Sequence, residues 1–333
     1  MITQIAKRIL LAVPLLLVVS FIVFFLSRAG GGDPVDAILG EKGSPATRAR
    51  VTRDLGLDRS ILVQYGKYLG GVVRGDFGRS YIMQQSVSEE LRRRFPATIE
   101  LAVAAMLIAI IIGIPAGVLS AAYKSTWIDY LAMSVSLAGV SIPVFWLGLL
   151  LILAFGGFMP ISGNLDPLYD IQPVTRFVFV DCLLAGDFGA LLDALRHLLL
   201  PALALATIPL AMTARITRAA MLEVLGSDYV RTARAKGLGP TGVVMKHAFR
   251  NALIPVVTLL GLEFGYLLGG AVLTETVFDW PGMGTYIVRA VFQNDPVAIC
   301  GASMIVAATF IVANLAVDIV YTLVDPRIRH ESA

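Results

Sequence analysis

Apolar runs long enough to cross a lipid bilayer recur along this chain, and that feature restricts its fold more than any other. About 20 residues at about 1.5 Å rise span the hydrocarbon core. Within that core only helices and closed barrels satisfy their own backbone. Six such runs are read at about residues 9–26, 97–120, 130–155, 198–214, 253–273 and 300–323. The expected fold is therefore all-α, a polytopic membrane protein of six transmembrane helices. Composition agrees: 57% of residues are hydrophobic and 15% charged, where a soluble domain carries about 25% charged residues. Pro115, Pro143, Pro201, Pro209 and Pro255 fall inside the spans. Two readings stay open for them, ordinary kinks or gating hinges. Lys7 and Arg8 precede the first span as they would a signal peptide. Its run is longer than the usual apolar region and no A-x-A site follows, so it reads as a retained helix.

Lys and Arg in short connections mark the cytoplasmic side. The connection between spans four and five holds Arg215, Arg218, Arg231, Arg234, Lys236, Lys246 and Arg250 against Glu223 and Asp228. Between spans three and four the balance reverses: Arg176 and Arg196 face Asp166, Asp170, Asp181, Asp187 and Asp193. Arg327 and Arg329 follow span six. Both termini and the 4–5 connection are thus expected in the cytoplasm. The first loop, about residues 27–96, must then be external although it contains Arg92, Arg93 and Arg94, since long loops translocate largely regardless of charge.

Enzyme motifs are missing. There is no G-x-x-x-x-G-K-[ST], no H-E-x-x-H, no CxxC and no G-x-S-x-G, so nucleotide binding by a P-loop is excluded. "GDFG" occurs at 75–78 and 186–189, both in expected external loops, where an Asp–Phe pair between glycines makes a turn. Three scattered histidines (His197, His247, His330) support no metal site, and Cys182 and Cys300 read as two unpaired thiols. The chain reads as a conduit. Acids in spans are candidate functional residues. Glu263 in "LLGLEFGYLLGG" either lines a watery substrate path or pairs with a neighbouring helix. Asp318, with Asn314 one turn earlier, reads as structural. Gly261, Gly265, Gly269 and Gly270 around Glu263 read as packing positions.

The 4–5 connection, about residues 215–252, is long for adjacent spans. Ile216, Ala219, Ala220, Met221 and Leu225 recur at helical spacing, so span four continues out of the membrane until Gly226 breaks it. Ser227 or Asp228 then caps a new helix, and Gly237 suits a left-handed stop. The helix between, about 227–236, is too short to be stable alone in water and needs a surface. Ala233 and Ala235 would let a partner approach. Arg231, Arg234 and Lys236 either meet acids on that partner or only hold the loop inside.

The segment "YVRTARAKGLG…HAFRNALIPVV" resembles the cytoplasmic EAA loop of ABC-importer membrane subunits, and "GDFGRS", "SIPVFWLGLLLIL", "VLTETVFDWPGMG" and "DPRIRH" are similar to the dipeptide and oligopeptide branch. Arg231, Thr232 and Ala233 stand where the general pattern has Glu-Ala-Ala, with Gly237 as its glycine. The resemblance implies the type I importer fold: a first helix with its external loop (1–94), a five-helix transmembrane domain (95–324) and a cytoplasmic tail (325–333). It implies import of dipeptides or short peptides, with haem or similar compounds as further cargo, across the bacterial inner membrane. It also implies a coupling helix comprising Asp228, Tyr229, Arg231, Thr232, Ala233, Arg234, Lys236, Gly237 and Leu238. The implied partners are a second homologous permease subunit, two cytoplasmic ATPase subunits that bind ATP and Mg, an external peptide-binding protein and membrane lipid. No cofactor, metal or nucleic acid is expected on this chain. The rival reading is a self-contained ion-coupled secondary transporter, which would show two similar halves. A membrane-embedded enzyme is disfavoured by the missing motifs.

Overall fold

The computed structural model describes residues 2–30, 34–39, 44–80 and 82–324. Expected features in the C-terminal tail, and the side chain of Asp318, lie outside the described residues. Helices follow one another as α1 (Ile2–Gly30), α2 (Pro34–Leu39), α3 (Pro45–Asp54), α4 (Ile61–Val72), α5 (Val87–Ile108), α6 (Ile114–Ala122), α7 (Trp127–Ser141) and α8 (Val144–Phe155). Then come α9 (Val178–Ala185), α10 (Phe188–Leu225), α11 (Asp228–Ala235), the single turn α12 (Pro240–Gly242), α13 (Phe249–Gly270), α14 (Val272–Val277), α15 (Met283–Phe292) and α16 (Pro296–Val324). No strand occurs among the described residues, only an isolated bridge between Arg79 and Ser86.

Four continuous helical stretches are long and apolar enough to cross a membrane: Val87–Ala122, Phe188–Leu225, Val243–Gly269 and Pro296–Val317. The expected first span falls in α1, whose described apolar part is Ala12–Leu26. The expected third span is not one helix. It is α7 and α8, bent by 104° at a short break. The cause is Pro143, which lacks an N–H and disfavours helical backbone in the residue before it. Ile142 accordingly sits at φ −90°, ψ 124°.

α10 is the axis of the bundle, packed by α5, α6, α7, α8 and α13, while α16 joins α13 to α1. The core is rich in alanine: Ala102 and Ala105 of α5 meet Ala202 and Ala206 of α10, with Leu101, Leu205 and Leu267 filling between them. Small residues permit this close approach, which in lipid replaces the hydrophobic drive between helices. Gly113 and Gly117 show how tight it is. A Cβ on Gly113 would lie 2.9 Å from the Leu210 carbonyl oxygen, and one on Gly117 would lie 2.5 Å from that of Ala214. The backbone between α5 and α6, Ala109–Gly113, widens into a π-helical turn and so re-aims α6 along α10.

The first "GDFG" string forms a turn, whereas the second joins α9 to α10, with Phe188 and Gly189 already in α10. Gly75 and Gly78 have φ of +78° and +87°, and the Asp76 carboxylate accepts from Gly78 N at 2.9 Å. In the second copy Gly186 is left-handed, and Asp187 caps α10 by accepting from Ala190 N at 2.9 Å. Cys182 and Cys300 are both buried and not joined to each other. Burial pushes the Cys182 thiol pKa up, with nearby Asp187, Asp181 and Glu100 adding to the effect.

Candidate functional site

The site grows from the end of α10. Its 38 residues make a rod of about 57 Å at 1.5 Å per residue, against a hydrocarbon core of about 30 Å. The helix therefore projects well beyond a bilayer before Gly226 ends it. Ser227 then turns extended (φ −73°, ψ 152°) and starts α11. The expected side-chain cap is not formed. The Ser227 hydroxyl instead donates to the Val224 carbonyl at 2.6 Å, because the one-residue break leaves α10's last carbonyls within its reach. α11 stops as expected. Gly237 takes φ +82°, its N–H reaches the Arg234 carbonyl at 3.0 Å, and Leu238 N reaches Ala233 O.

The eight residues of α11 divide into two faces. Val230 and Ala233 are buried and turn toward the π-helical segment Val243–Ala248 and the end of α10, on which α11 packs. Tyr229 reinforces this seat, accepting from Asn251 Nδ2 of α13 at 2.7 Å. Ala233 thus serves the chain's own packing, not the approach of a partner as the sequence reading had it. The surface the short helix needs is supplied first by its own subunit. Asp228, Arg231, Thr232 and Ala235 form the opposite stripe, all exposed. There Asp228 and Arg231 make a loose 3.4 Å pair, of the fully solvated kind that is worth little. Arg234, Lys236 and Leu238 flank this stripe, also exposed. Counting residues at 100° intervals reproduces the division. Val230 and Asn251, which the sequence pattern did not single out, complete the seat.

Beneath α11, Ala220 and Met221 of α10, Val118 and Ala121 of α6, and Ala248 and Ala252 form one buried cluster. Beside it, Arg218 of α10 donates to both Asp129 oxygens of α7, at 2.7 and 2.8 Å. Asp129 also accepts from Ser120 Oγ and from Ser125 N at 2.9 Å. Its carboxylate is buried and fully partnered, which is the condition under which a buried ion pair holds. Nothing in the sequence signals this pair, whose members stand 89 positions apart. α11 is thereby connected through α10 to α6, α7 and α13.

Glu263 lies apart from α11, about 18 Å along α13 from Asn251. It is half-buried and makes no hydrogen bond or ion pair among the described residues. Gly261 and Gly265 face Val317, Phe310 and Asn314 of α16, so the glycines pack helices and Glu263 points elsewhere. Glu100 of α5 is a further acid within a span that the sequence reading missed. One of its oxygens accepts from Phe179 N at 3.1 Å, while Oε2 is buried without a hydrogen-bond partner among the described residues.

At the end of the bundle opposite α11, "TETVFDWPGMG" folds onto α5. Trp280 Nε1 donates to the Ala97 carbonyl at 2.8 Å. Thr98 Oγ1 donates to Glu275 at 2.7 Å and accepts from Met283 N. Glu275 also accepts from Gly284 N at 2.7 Å and Thr285 N at 3.2 Å. Burial pushes its carboxyl pKa up to about 7 against these bonds, which favour the ion. The arginines of the first loop have local work too. Arg94 pairs with Glu90 at 2.8 Å and lies over the Tyr286 ring.

Residues 113–330 match the family described as the binding-protein-dependent transport system inner membrane component, and residues 1–102 match the N-terminal part of such membrane components. The chain belongs to this permease family. It is 48% identical over 99% of its length, and all of the relative's, to the di/tripeptide transport system permease protein DppB of Pseudomonas aeruginosa. It is 43% identical over 99% of its length to the dipeptide transport system permease protein DppB of Escherichia coli, again covering the whole relative. Identity is 37% to the glutathione transport system permease protein GsiC of E. coli, over the same shares. In this permease α11 is a short exposed helix between two spanning helices, seated on the bundle and showing a polar stripe outward.

Proposed function

We propose that this chain is the membrane-spanning permease subunit of an ATP-driven importer of dipeptides and short peptides, working with an external peptide-binding protein. The observation that carries the reading is the full-length similarity to dipeptide permeases at 43–48% identity. The six spans of this reading are α1, α5 continued into α6, the bent pair α7–α8, α10, α13 with its preceding turn, and α16. The cations between α10 and α13 support a cytoplasmic position for α11, and with six spans both termini lie on that same side. The same family of transport components sets the chain apart from a catalytic subunit. ATP and Mg belong to two separate ATPase subunits, and a second homologous permease completes the pathway.

α11 is the coupling helix in this scheme. Its exposed stripe of Asp228, Arg231, Thr232 and Ala235 meets one ATPase, with Ala235 as the position of closest approach. Its Val230 and Ala233 face returns the ATPase movement to α10 and α13. Glu263 contacts the peptide or its water on the way through, a role supported by its mid-span position with no hydrogen bond or ion pair to the described residues of this chain.

The test is reconstitution. Proteoliposomes holding both permeases and both ATPases should accumulate labelled dipeptide only with ATP inside and binding protein outside. Uptake by this chain alone, driven by an ion gradient, would falsify the reading.

A further inference from the structure

A cavity of about 530 Å³ opens at the outer end of the bundle, outside everything the transport reading uses. Arg53, Arg59 and Lys67 stand around it, and Phe24, Tyr68 and Val297 form its apolar wall. None of the three cations forms an ion pair among the described residues. Other arginines of the outer region do: Arg50 with Asp54, Arg94 with Glu90, Arg176 with Glu89 and Arg289 with Asp279. The two acids that also border the cavity are engaged. Asp54 lies 3.7 Å from Arg50, and Asp76 accepts from Gly78 N. The lining thus carries three cations against two carboxylates, a net positive charge beside an apolar wall.

The depth of this cavity follows from α4. Tyr65 donates to the Leu17 carbonyl of α1 at 2.9 Å and meets the Phe21 ring edge-on, while Tyr68 stacks on Phe24. Leu17 to Phe24 belong to the apolar part of α1, so α4 lies alongside that span, not above it. Leu62 and Val63 point outward, 66% and 49% exposed. A helix with apolar residues outward and cations at its margin is the arrangement of an element lying at a membrane interface.

We infer that this cavity holds the phosphate of an anionic phospholipid of the outer leaflet. Arg53, Arg59 and Lys67 surround the phosphodiester, and the acyl chains run down beside Leu62, Val63 and α1. A phosphodiester supplies acceptor oxygens and a negative charge for the cations left without an ion pair among the described residues. The lipid anchors α3 and α4 to the membrane and offsets the excess positive charge of the lining.

The assembled transporter, purified in mild detergent, is assayed by native mass spectrometry for retained phosphatidylglycerol. Wild type is compared with R53Q/R59Q/K67Q and with R92Q, an exposed arginine elsewhere on the outer side. All three cations are exposed, so the triple variant keeps the fold. Phosphatidylglycerol affinity is expected to fall about fivefold per cation removed in the triple variant and to stay unchanged in R92Q. Equal retention in wild type and triple variant overturns the inference. So does equal protection of wild type by inorganic phosphate or glycerol phosphate, which assigns the cavity to a soluble anion, or equal retention of phosphatidylcholine. Peptide uptake is not the readout, so failure here leaves the transport reading standing.

Discussion

Arg218 on α10 grips Asp129 on α7 with two parallel hydrogen bonds of 2.7 and 2.8 Å. The contact lies at the end of the bundle from which α11 hangs. α10 carries α11 at its tip, and α7 begins the bent third span. Any displacement that α11 passes to α10 is therefore delivered to α7 through a charged, directional contact as well as through alanine packing. A bidentate guanidinium–carboxylate pair resists rotation as well as separation, which suits a joint that has to transmit movement.

Asp129→Ala leaves the Arg218 guanidinium without its partner in a mostly buried place. Breaking such a pair costs about 3–5 kcal/mol, toward the low end here because Arg218 keeps 28% of its side chain exposed. The assembled transporter should melt at a lower temperature, and ATP hydrolysis should continue with uptake reduced. A double-mutant cycle with Arg218→Ala checks the origin, with a coupling energy of about 0.5–3 kcal/mol expected. Additive effects would show that the two residues act separately.

The two alanines of α11 are predicted to behave oppositely. Ala233 is 5% exposed against its own chain, so Ala233→Trp overpacks the seat and lowers stability by about 1–3 kcal/mol. Ala235 lies on the outward stripe, and Ala235→Trp should leave the subunit's melting temperature unchanged while weakening co-purification of the ATPases and abolishing uptake. Single changes Arg231→Ala and Arg234→Ala should do little, since exposed pairs are worth about 0.2–1 kcal/mol. Melting curves and pull-downs on the same membranes separate these outcomes.

Local rules made much of this legible before any coordinates. The short helix, its start after Gly226 and its left-handed stop at Gly237 follow from cap and glycine chemistry, and α11 occupies Asp228–Ala235 where about 227–236 was read. What escaped were features that depend on tertiary pairing. Asp129 and Arg218 each look like an ordinary charge near a span end. Glu275 looks like part of a polar loop, yet it is fully buried. A small residue such as Ala233 signals close approach without saying to what, and here the approach is to its own chain. Pro143 was read inside one span. Its ring disfavours helical backbone at Ile142, whose extended conformation breaks that span in two.

Gly237 tests whether the form of the loop matters apart from its charge. Its φ of +82° is open to glycine, costs another residue about 1–2 kcal/mol, and is closed to proline, whose ring holds φ near −65°. A Cβ there meets open space, so the penalty is conformational alone. Gly237→Pro, and deletion of 227–236, should leave the subunit inserted and folded while ATP-dependent uptake disappears. Gly237→Ala should give an intermediate loss. Uptake at the normal rate in the deletion variant would remove α11 from the coupling path.

Glu275 makes stability depend on pH in a direction opposite to that of most carboxylates. Burial raises its pKa in the folded protein to about 7 from an ordinary value of 4.5. Between those values the folded state binds the proton more tightly than the unfolded chain. Stability therefore falls as pH rises through that window, and the loss is complete above pH about 7. A shift of this size is worth a few kcal/mol at about 1.4 kcal/mol per unit. The wild-type transporter should lose melting temperature relative to Glu275→Gln between roughly pH 5, just inside the lower end of the window, and roughly pH 8, about one unit above its upper end. The glutamine keeps an acceptor for Thr98 and carries no charge to bury. It gives up one good acceptor toward Gly284 N and Thr285 N, so at pH 5 it should be the less stable of the two. The curves should converge or cross by pH 8, and parallel curves would mean that Glu275 stays ionised throughout.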